Sequence, residues 1–339
     1  MPALILLLVV VALAVLLLFT QWKTREIEAR YPPQGRFVDI DGGRIHLVDT
    51  RPDGEEVGTI LLIHGASGNE ADLRLPLTGD LKQLGFRVIS VDRPGHGWSR
   101  RLGGHADASP ARQAALIRAA MEKIGAHEVI VVGHSLAGVL SINLALDHSP
   151  FVRGLVLLAP VSHPWPGGIA FYYSLTAMPM IGPLVTNTII MPLALYALDS
   201  AIAGVFKPQP MPDNYSERVG IPLVLRPASF RANSQDVDMI KDFVTREAPR
   251  YGNITAPTAI VTGDQDAIVY THIHSYGSAR DIPGATLQVL PGIGHSPHWA
   301  QPQTVIAAIV EVAARTQAHA AAKYRPESQV AESHQKPSS

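Results

Sequence analysis

The chain has 339 residues, enough for a single large α/β unit with an insertion, and only 17% of them are charged, with 28 Lys and Arg against 29 Asp and Glu. Hydrophobic residues make up 47%, which excludes a mainly disordered chain, and a near-neutral charge without basic blocks argues against a nucleic-acid partner. The absence of cysteine excludes disulfides, a thiol nucleophile and thiolate metal ligands, although it leaves the cellular compartment open.

An uninterrupted apolar run, Ala3 to Phe19, lies near the amino terminus. As a helix it reaches the short end of the range that spans a bilayer. No basic residue precedes the run, and Thr20-Gln21-Trp22 is a poor cleavage context. Residues 1–22 are therefore predicted to be an uncleaved membrane anchor with Trp22 at the interface, with cleavage as the alternative.

The charges that follow this run bear on its orientation. Lys23, Arg25 and Arg30 come after it, and no Lys or Arg comes before it. The positive-inside tendency then favours a cytoplasmic position for the globular part. Glu26 and Glu28 lie among these charges, so the exported side stays open.

From residue 36 onward, short apolar runs alternate with amphipathic stretches, which is the pattern of a largely parallel sheet covered by helices. A hairpin is predicted around Asp41-Gly42-Gly43. The predicted strands are 36–40, 44–49, 59–63, 87–91, 128–132, 152–158, 258–262 and 286–290. The predicted helices are 70–84, 110–125, 136–147 and 271–281, with a last helix from about Gln303. The alternation of apolar runs and amphipathic stretches is interrupted over residues 161–250. A disordered tail is predicted over 316–339.

A serine lies at the turn between an apolar strand and a helix, in Gly133-His134-Ser135-Leu136-Ala137. Small residues on both sides permit a sharp turn that exposes Oγ at the carboxyl edge of the sheet. The N–H of Leu136 then faces a developing oxyanion at a helix N-terminus. Ser135 is therefore the predicted nucleophile, and His134 a packing neighbour, although an isolated serine in such a place is usually a helix cap.

This segment resembles the G-x-S-x-G elbow of the α/β-hydrolase superfamily, with Ala137 in the last glycine position, and the resemblance covers about residues 35–315. Residues 61–68 resemble the family's H-G-x-x-G loop, which implies that the N–H of Ala66 is the second oxyanion donor. Residues 91–99 resemble its D-x-P-G-x-G-x-S loop, which implies that Asp92 and His96 shape a turn.

The resemblance also implies the fold class and the domain boundaries. The expected architecture is an α/β-hydrolase fold, a mostly parallel sheet flanked by helices, with a helical lid inserted after the sixth strand. The first part of the core is then 35–160, the lid 161–250 and the second part of the core 251–315. A serine at the elbow sets the chain apart from relatives such as haloalkane dehalogenases and epoxide hydrolases, which use an aspartate there.

A serine nucleophile needs a base and a carboxylate that orients the base, in the chain order Ser, Asp or Glu, His on this fold. The family's G-x-x-D pattern selects Asp266 after Gly263, with Asp264 as the competitor. The G-H-x-P pattern selects His295 as the base. His298 is placed at the start of the final helix.

No cofactor or metal site is predicted. His272-Ile273-His274 contains two histidines, but positions i and i+2 do not share a helix face, so they are interpreted as surface residues.

Residues 154–198 contain no Asp, Glu, Lys or Arg. Pro179, Pro183 and Pro192 divide this stretch into short helical pieces, which argues against a second membrane span. Its aromatic and methionine side chains predict both a packed lid and an apolar roof over a cavity. The roles of Arg226, Arg231 and Asn233, further along the insertion, stay open.

The leading hypothesis is a membrane-anchored serine hydrolase acting on an ester of a lipophilic small molecule through an acyl-enzyme. One alternative is hydrolytic C–C cleavage of a dienoic diketone, for which Arg226 or Arg231 would have to bind the substrate carboxylate. The other is a catalytically silent binding protein of the same fold.

Overall fold

A computed structural model of the chain describes residues 1–323. Its strands are β1 (Arg36–Ile40), β2 (Gly43–Thr50), β3 (Gly58–Ile63), β4 (Phe86–Val91), β5 (Arg100–Arg101), β6 (Val129–His134), β7 (Val152–Leu158), β8 (Thr258–Gly263) and β9 (Thr286–Leu290). They form one nine-stranded sheet within the described residues, in the order β1-β2-β4-β3-β6-β7-β8-β9, with β5 paired to β2. The pairs β1–β2, β2–β4 and β2–β5 are antiparallel, and those from β4 to β9 are parallel.

The helices in the same residues are α1 (Pro2–Arg30), α2 (Ala71–Gln83), α3 (Pro110–Lys123), α4 (Ala137–Asp147), α5 (Phe171–Ala177), α6 (Ile181–Thr188), α7 (Ile190–Phe206), α8 (Tyr215–Val219), α9 (Pro227–Glu247), α10 (His274–Asp281), α11 (Pro297–Ala300) and α12 (Pro302–Lys323). Every strand and helix predicted from the sequence is present within a few residues of its expected bounds. The predicted hairpin is confirmed, with Gly42 at φ +92° in the turn.

The strand β5 is an addition to the prediction. Two residues, Arg100 and Arg101, pair with Arg44 and Gly43, and so short a pairing leaves no apolar pattern in the sequence. The insertion follows the predicted strand 152–158, the sixth predicted strand, which becomes β7 once β5 is counted.

Both faces of the sheet are covered, as β3 illustrates. Successive side chains of a strand point to opposite faces. Leu61 and Ile63 pack in one apolar cluster with residues of α3 and α4, while Ile60 and Leu62 pack in another with residues of α2 and α12. All four side chains are fully buried, and this explains why successive residues of the strand are all apolar. The carboxyl ends of β3, β4, β6, β8 and β9 meet at one edge of the sheet, where ligands bind on open α/β sheets.

The helix α1 is exposed along nearly its whole length, with only Thr20 and Ile27 buried. It is long and apolar enough to cross a membrane. Its later part lies against the insertion, where the Thr20 hydroxyl donates to the carbonyl of Thr188 at 3.5 Å.

The insertion between β7 and β8 is built from helices α5 to α9. The helices α6 and α7 are bent by 66° at the break between them, and only as a pair do they match the length and composition of a membrane span. At the other end of the chain, α12 continues to Lys323, past the predicted start of the tail at residue 316. Residues 324–339 of that predicted tail lie outside the described residues.

Candidate active site

Ser135 lies on a strained turn between β6 and α4. Its φ of +55° is in the left-handed region, which a non-glycine residue adopts only when its surroundings hold it there. The turn is held by its own backbone: the Ser135 N–H donates to Leu158 O at 2.9 Å, and its carbonyl accepts from the N–H groups of Gly138 and Val161. A Cβ on Gly133 would collide with the hydroxyl of Ser141, so the residue two positions before the serine has to be glycine.

His295 and Asp266 complete a chain of hydrogen bonds that starts at Ser135. The Ser135 Oγ lies 2.9 Å from His295 Nε2, and His295 Nδ1 lies 2.8 Å from Asp266 Oδ2. All three side chains are buried. Because the Nδ1–H of His295 donates to Asp266 Oδ2, Nε2 presents its lone pair to the serine hydroxyl. This geometry suits proton abstraction from Oγ.

The loop after β8 separates the two aspartates that the sequence left in competition. Asp266 Oδ1 accepts the N–H groups of Ile268 and Val269 at 2.8 and 2.9 Å, so Oδ2 is left for the imidazole. Asp264 is exposed and accepts the N–H of Gly292 at 2.7 Å. Of the two carboxylates, the structure brings Asp266 to His295.

The loop after β3 passes directly beside the serine. A Cβ on Gly65 would lie only 2.9 Å from the Ser135 Cβ, so this close approach depends on glycine. The next residue, Ala66, and the residue after the serine, Leu136, each carry an N–H that has no protein acceptor among the described side chains and backbone. Two free N–H donors on either side of a serine hydroxyl are the arrangement that an oxyanion hole requires.

Contacts with α9, which the sequence left open or missed, hold this loop in place. The Ser67 N–H donates to Asn233 Oδ1 at 2.7 Å, and Asn233 Nδ2 donates to the Ser67 hydroxyl. The fully buried Arg93 donates to Gly65 O at 3.2 Å and to Asp236 Oδ2 at 2.7 Å. Neither contact has a sequence signal, because the partners are about 140 or more positions apart.

The histidine that opens the loop, His64, is a structural residue. Its Nδ1 donates to Gly65 O at 2.8 Å and its Nε2 accepts the N–H of Arg93 at 3.0 Å, which is the pattern of a neutral ring. Burial, followed by the charge of Arg93, lowers the pKa of His64 to about 4. Asp92 has an equally structural role, because it accepts from His46 and from the N–H groups of Glu70 and Trp98.

A buried cluster of Asp72, His134 and His298 lies behind the elbow. Burial opposes the charge of Asp72, but His298 and His134 hold its pKa below the usual range. The hydroxyl of Tyr215 and the indole N–H of Trp299 donate to Asp72 Oδ1, at 2.8 and 3.0 Å.

The three side chains of this cluster have ligand atoms within 4.8 Å of one another, and among the described residues this is the donor set that could hold a metal ion. His298 Nε2 lies 3.5 Å from Asp72 Oδ2, and neither ring nitrogen of His298 forms a hydrogen bond within the described residues. His298 belongs to the short helix α11 rather than to the start of the final helix, α12, because a break at Gln301 separates the two.

The expectation for one nearby histidine needs correction. His274 is buried rather than on the surface: its Nδ1 accepts the N–H groups of Ser162 and His163, and burial lowers its pKa to about 4. His272 is exposed, as expected. Arg226 is also buried, and it donates to Glu28 of α1, to Leu223 O and to Gly97 O.

Apolar side chains of the insertion cover the elbow. Leu136 packs in one cluster with Ile240 and Phe243 of α9, and Ala66 and Trp165 lie against it. The carbonyl carbon of a substrate at Ser135 would therefore be surrounded by apolar groups on the side of the insertion.

Comparison with known proteins identifies the family and the fold. The family model described as "Alpha/beta hydrolase family" matches residues 60–308. The crystal structure of a putative lipase from Acinetobacter baumannii AYE superimposes with a TM-score of 0.66 at 19% identity, over 88% of this chain and 97% of that one.

Three curated relatives are similar in sequence. A 2-hydroxy-6-oxononadienedioate/2-hydroxy-6-oxononatrienedioate hydrolase from Klebsiella pneumoniae is 27% identical over 79% of this chain and 93% of its own length. The sn-1-specific diacylglycerol lipase of Mus musculus is 26% identical over 74% and 79%. The acetyltransferase component of the acetoin cleaving system of Cupriavidus necator is 33% identical, but over only 37% of this chain and 32% of that protein. With a family model matched along most of its length and a sheet of the expected topology, this chain belongs to the alpha/beta hydrolase family.

Proposed function

We propose that this protein is a membrane-anchored serine hydrolase that cleaves a carboxylic ester of a lipophilic small molecule. The observation that carries the proposal is the continuous hydrogen-bonded chain from Ser135 through His295 to Asp266. A silent binding protein has no need for a strained serine, an oriented imidazole and two free amides in one place.

The proposed reaction has two steps through an acyl-enzyme. His295 Nε2 takes the proton of Ser135 Oγ as the oxygen attacks the ester carbonyl, and Asp266 stabilises the imidazolium. The N–H groups of Ala66 and Leu136 donate to the oxyanion. His295 then gives its proton to the leaving alkoxide. A water molecule, deprotonated by the same nitrogen, attacks the acyl-enzyme and releases the carboxylic acid and the free serine.

The lipophilic character of the substrate is inferred from the apolar side chains of α9 and Trp165 around the elbow. The diacylglycerol lipase among the relatives acts on a substrate of this kind. The C–C hydrolase from Klebsiella supports the second candidate, cleavage of a dienoic diketone. Arg226 is an unsuitable carboxylate ligand for such a substrate, because Glu28 and two backbone carbonyls already accept from it.

We further propose that the insertion, residues 161–250, is a lid that faces the bilayer beside the anchor α1. Tyr196, Met180 and Phe171 are 93%, 88% and 79% exposed, and Ile181, Leu184 and Leu193 are exposed as well. Monomeric soluble proteins rarely leave so many large apolar side chains exposed in one region. A lid of this kind gives a membrane-dissolved substrate a short path to Ser135.

The test compares p-nitrophenyl esters of increasing acyl length with a dienoic diketone, using the full chain in uncharged detergent. We expect kcat/KM to rise with acyl length and to exceed that for the diketone. Ser135→Ala should abolish turnover of both substrates, whereas Ser141→Ala, which removes a buried hydroxyl without a hydrogen-bond partner, should retain it. A strong preference for the diketone would overturn the ester assignment.

A further inference from the structure

A cavity of about 840 Å³ lies between α1 and the globular part of the chain. One wall is formed by residues 20–28 of α1, and the opposite wall by the loop 95–104 and the first turns of α9. None of Ser135, Asp266 and His295 lines it. It is therefore a space distinct from the proposed catalytic centre.

The lining of this cavity is strongly cationic. Its charged side chains are Arg25, Arg100, Arg101, Arg226, Arg231 and a single carboxylate, Glu28. The whole chain is nearly neutral, with a net charge of −1, so this concentration of guanidinium groups is local. A concave surface lined by one sign of charge favours a ligand of the opposite sign.

Two of the five arginines already have a carboxylate partner. Arg226 donates to Glu28 at 3.1 Å, and Arg101 is paired with Asp236, which lies beneath the cavity lining. In the described residues, Arg25, Arg100 and Arg231 form no ion pair with any carboxylate. Three positive charges therefore face the cavity without a negative partner.

Arg231 is the most informative of the three. Its side chain forms no hydrogen bond within the described residues, and its Nε is inaccessible to water. The Thr24 hydroxyl, on the wall formed by α1, is likewise buried without a partner. A donor left without an acceptor is costly. An anion in the cavity would supply an acceptor to the guanidinium group of Arg231, whereas the Thr24 hydroxyl and the Arg231 Nε are closed to it. Guanidinium groups match phosphate oxygens bidentately.

The position of the cavity along α1 bears on where that anion comes from. The cavity-lining residues 20–28 directly follow the apolar run Ala3–Phe19 on the same helix. With that run in a bilayer, the cavity lies at the level of the lipid headgroups, where basic pockets bind anionic lipids.

We propose that this cavity binds a phosphate ester group through Arg25, Arg100 and Arg231. A lipid headgroup as its source depends on the membrane attachment proposed above, whereas binding of the phosphate group itself does not. No covalent step is involved, and the site serves to hold an anionic headgroup between α1 and the globular part.

The experiment is isothermal titration calorimetry on the full chain in uncharged detergent. The probes are dihexanoyl phosphatidylglycerol, dihexanoyl phosphatidylcholine and inorganic phosphate. We expect saturable binding of phosphatidylglycerol, at least tenfold tighter than that of phosphatidylcholine, whose choline would face the same arginines. Arg231→Gln should weaken this binding at least tenfold, and Arg25→Gln should weaken it severalfold. Arg25 is exposed, so its substitution should leave the fold intact.

The matched control is Arg246→Gln, on the same helix α9, exposed and away from the cavity lining. It should leave binding unchanged. Competition by inorganic phosphate would assign the site to the phosphate group whatever its source, while binding of the lipid alone would assign it to a headgroup. The proposal is overturned when neither phosphatidylglycerol nor inorganic phosphate binds, or when all three variants weaken binding equally. Labelling of the wild type by a fluorophosphonate, run on the same preparation, reports on the serine hydrolase proposal separately.

Discussion

The sheet and the insertion use apolar residues in opposite ways. Leu62 in β3 is fully buried, whereas Leu193 in α7 is 61% exposed. Along the strands the apolar residues stabilise the fold, and they fix the edge where Ser135, Asp266 and His295 meet. In α1 and the insertion many of them face outward. The chain's excess of apolar residues therefore lies on the surface of two segments, α1 and the insertion. We expect substitutions at the edge of the sheet to affect the chemical step, and substitutions on the surface of the insertion to affect substrate delivery.

The largest effect is expected at the edge of the sheet, at Asp266, the carboxylate proposed to orient the base. Asp266→Asn should lower kcat by a factor of about 10⁴, because an amide no longer holds the imidazole in the tautomer that accepts the serine proton. Steady-state kinetics with a soluble p-nitrophenyl ester measures it. The matched control is Asp264→Asn, two residues away, which should change kcat by less than about tenfold. A larger loss of kcat in Asp264→Asn than in Asp266→Asn would instead assign the orienting carboxylate to Asp264.

A second change tests how closely the loop after β3, which contains the proposed oxyanion donor Ala66, approaches Ser135. Gly65→Ala places a methyl group 2.9 Å from the Ser135 Cβ, so the loop must shift and carry the Ala66 N–H with it. The expected loss in kcat is a factor of about 10²–10³, the effect of losing one oxyanion donor. Gly79→Ala in α2, where a Cβ meets nothing within 4 Å, is the control. Unchanged kcat in Gly65→Ala would remove Ala66 from the mechanism.

The comparison between the two regions can be tested with one substitution made in each. Leu62→Ala should lower the free energy of unfolding by about 2–5 kcal/mol, as large-to-small changes in a packed core do. Leu193→Ala should change it by less than about 0.5 kcal/mol, but should raise KM for a long-chain ester dissolved in vesicles. Denaturant titrations and vesicle kinetics provide the two readings. An equal loss of stability at both sites would mean that the apolar face of the insertion is a packed surface.

The buried histidines of the globular part predict a dependence of stability on pH. His64 and His274 have pKa values lowered to about 4 in the folded chain, against 6.5 for an ordinary histidine. The unfolded chain therefore binds more protons between these values, so the free energy of unfolding falls as the pH drops from 6.5 to 4. For His64 the loss amounts to ~3 kcal/mol. His64→Gln should flatten this slope, and His105→Gln, at an exposed position, should not.

The sheet and the serine turn could be predicted from the sequence because their signals are local. A buried strand is a run of apolar residues, and the turn at Ser135 needs small neighbours within two positions. The choice of Asp266 over Asp264 came from a family pattern, and the hydrogen bond to His295 now supports it.

What could not be predicted depends on residues far apart in the chain. The contact between Ser67 and Asn233 joins the loop after β3 to α9, and the buried pair of Arg93 and Asp236 joins the loop after β4 to the same helix. Neither has a periodicity or a motif, since only the fold brings the partners together. The expectation that His274 lies on the surface was wrong. The argument from i and i+2 spacing assumed that both histidines belong to one helix, but α10 begins at His274, so the spacing says nothing about burial.

Reaction with a fluorophosphonate tests the central claim most directly. The full chain is incubated with the probe, digested, and the modified peptide identified by mass spectrometry. We expect one adduct, on Ser135, that is absent in Ser135→Ala, retained in Ser141→Ala and formed much more slowly in His295→Ala, because the unassisted hydroxyl is a weak nucleophile. Absence of labelling in the wild type, or labelling that persists in Ser135→Ala, would contradict the account.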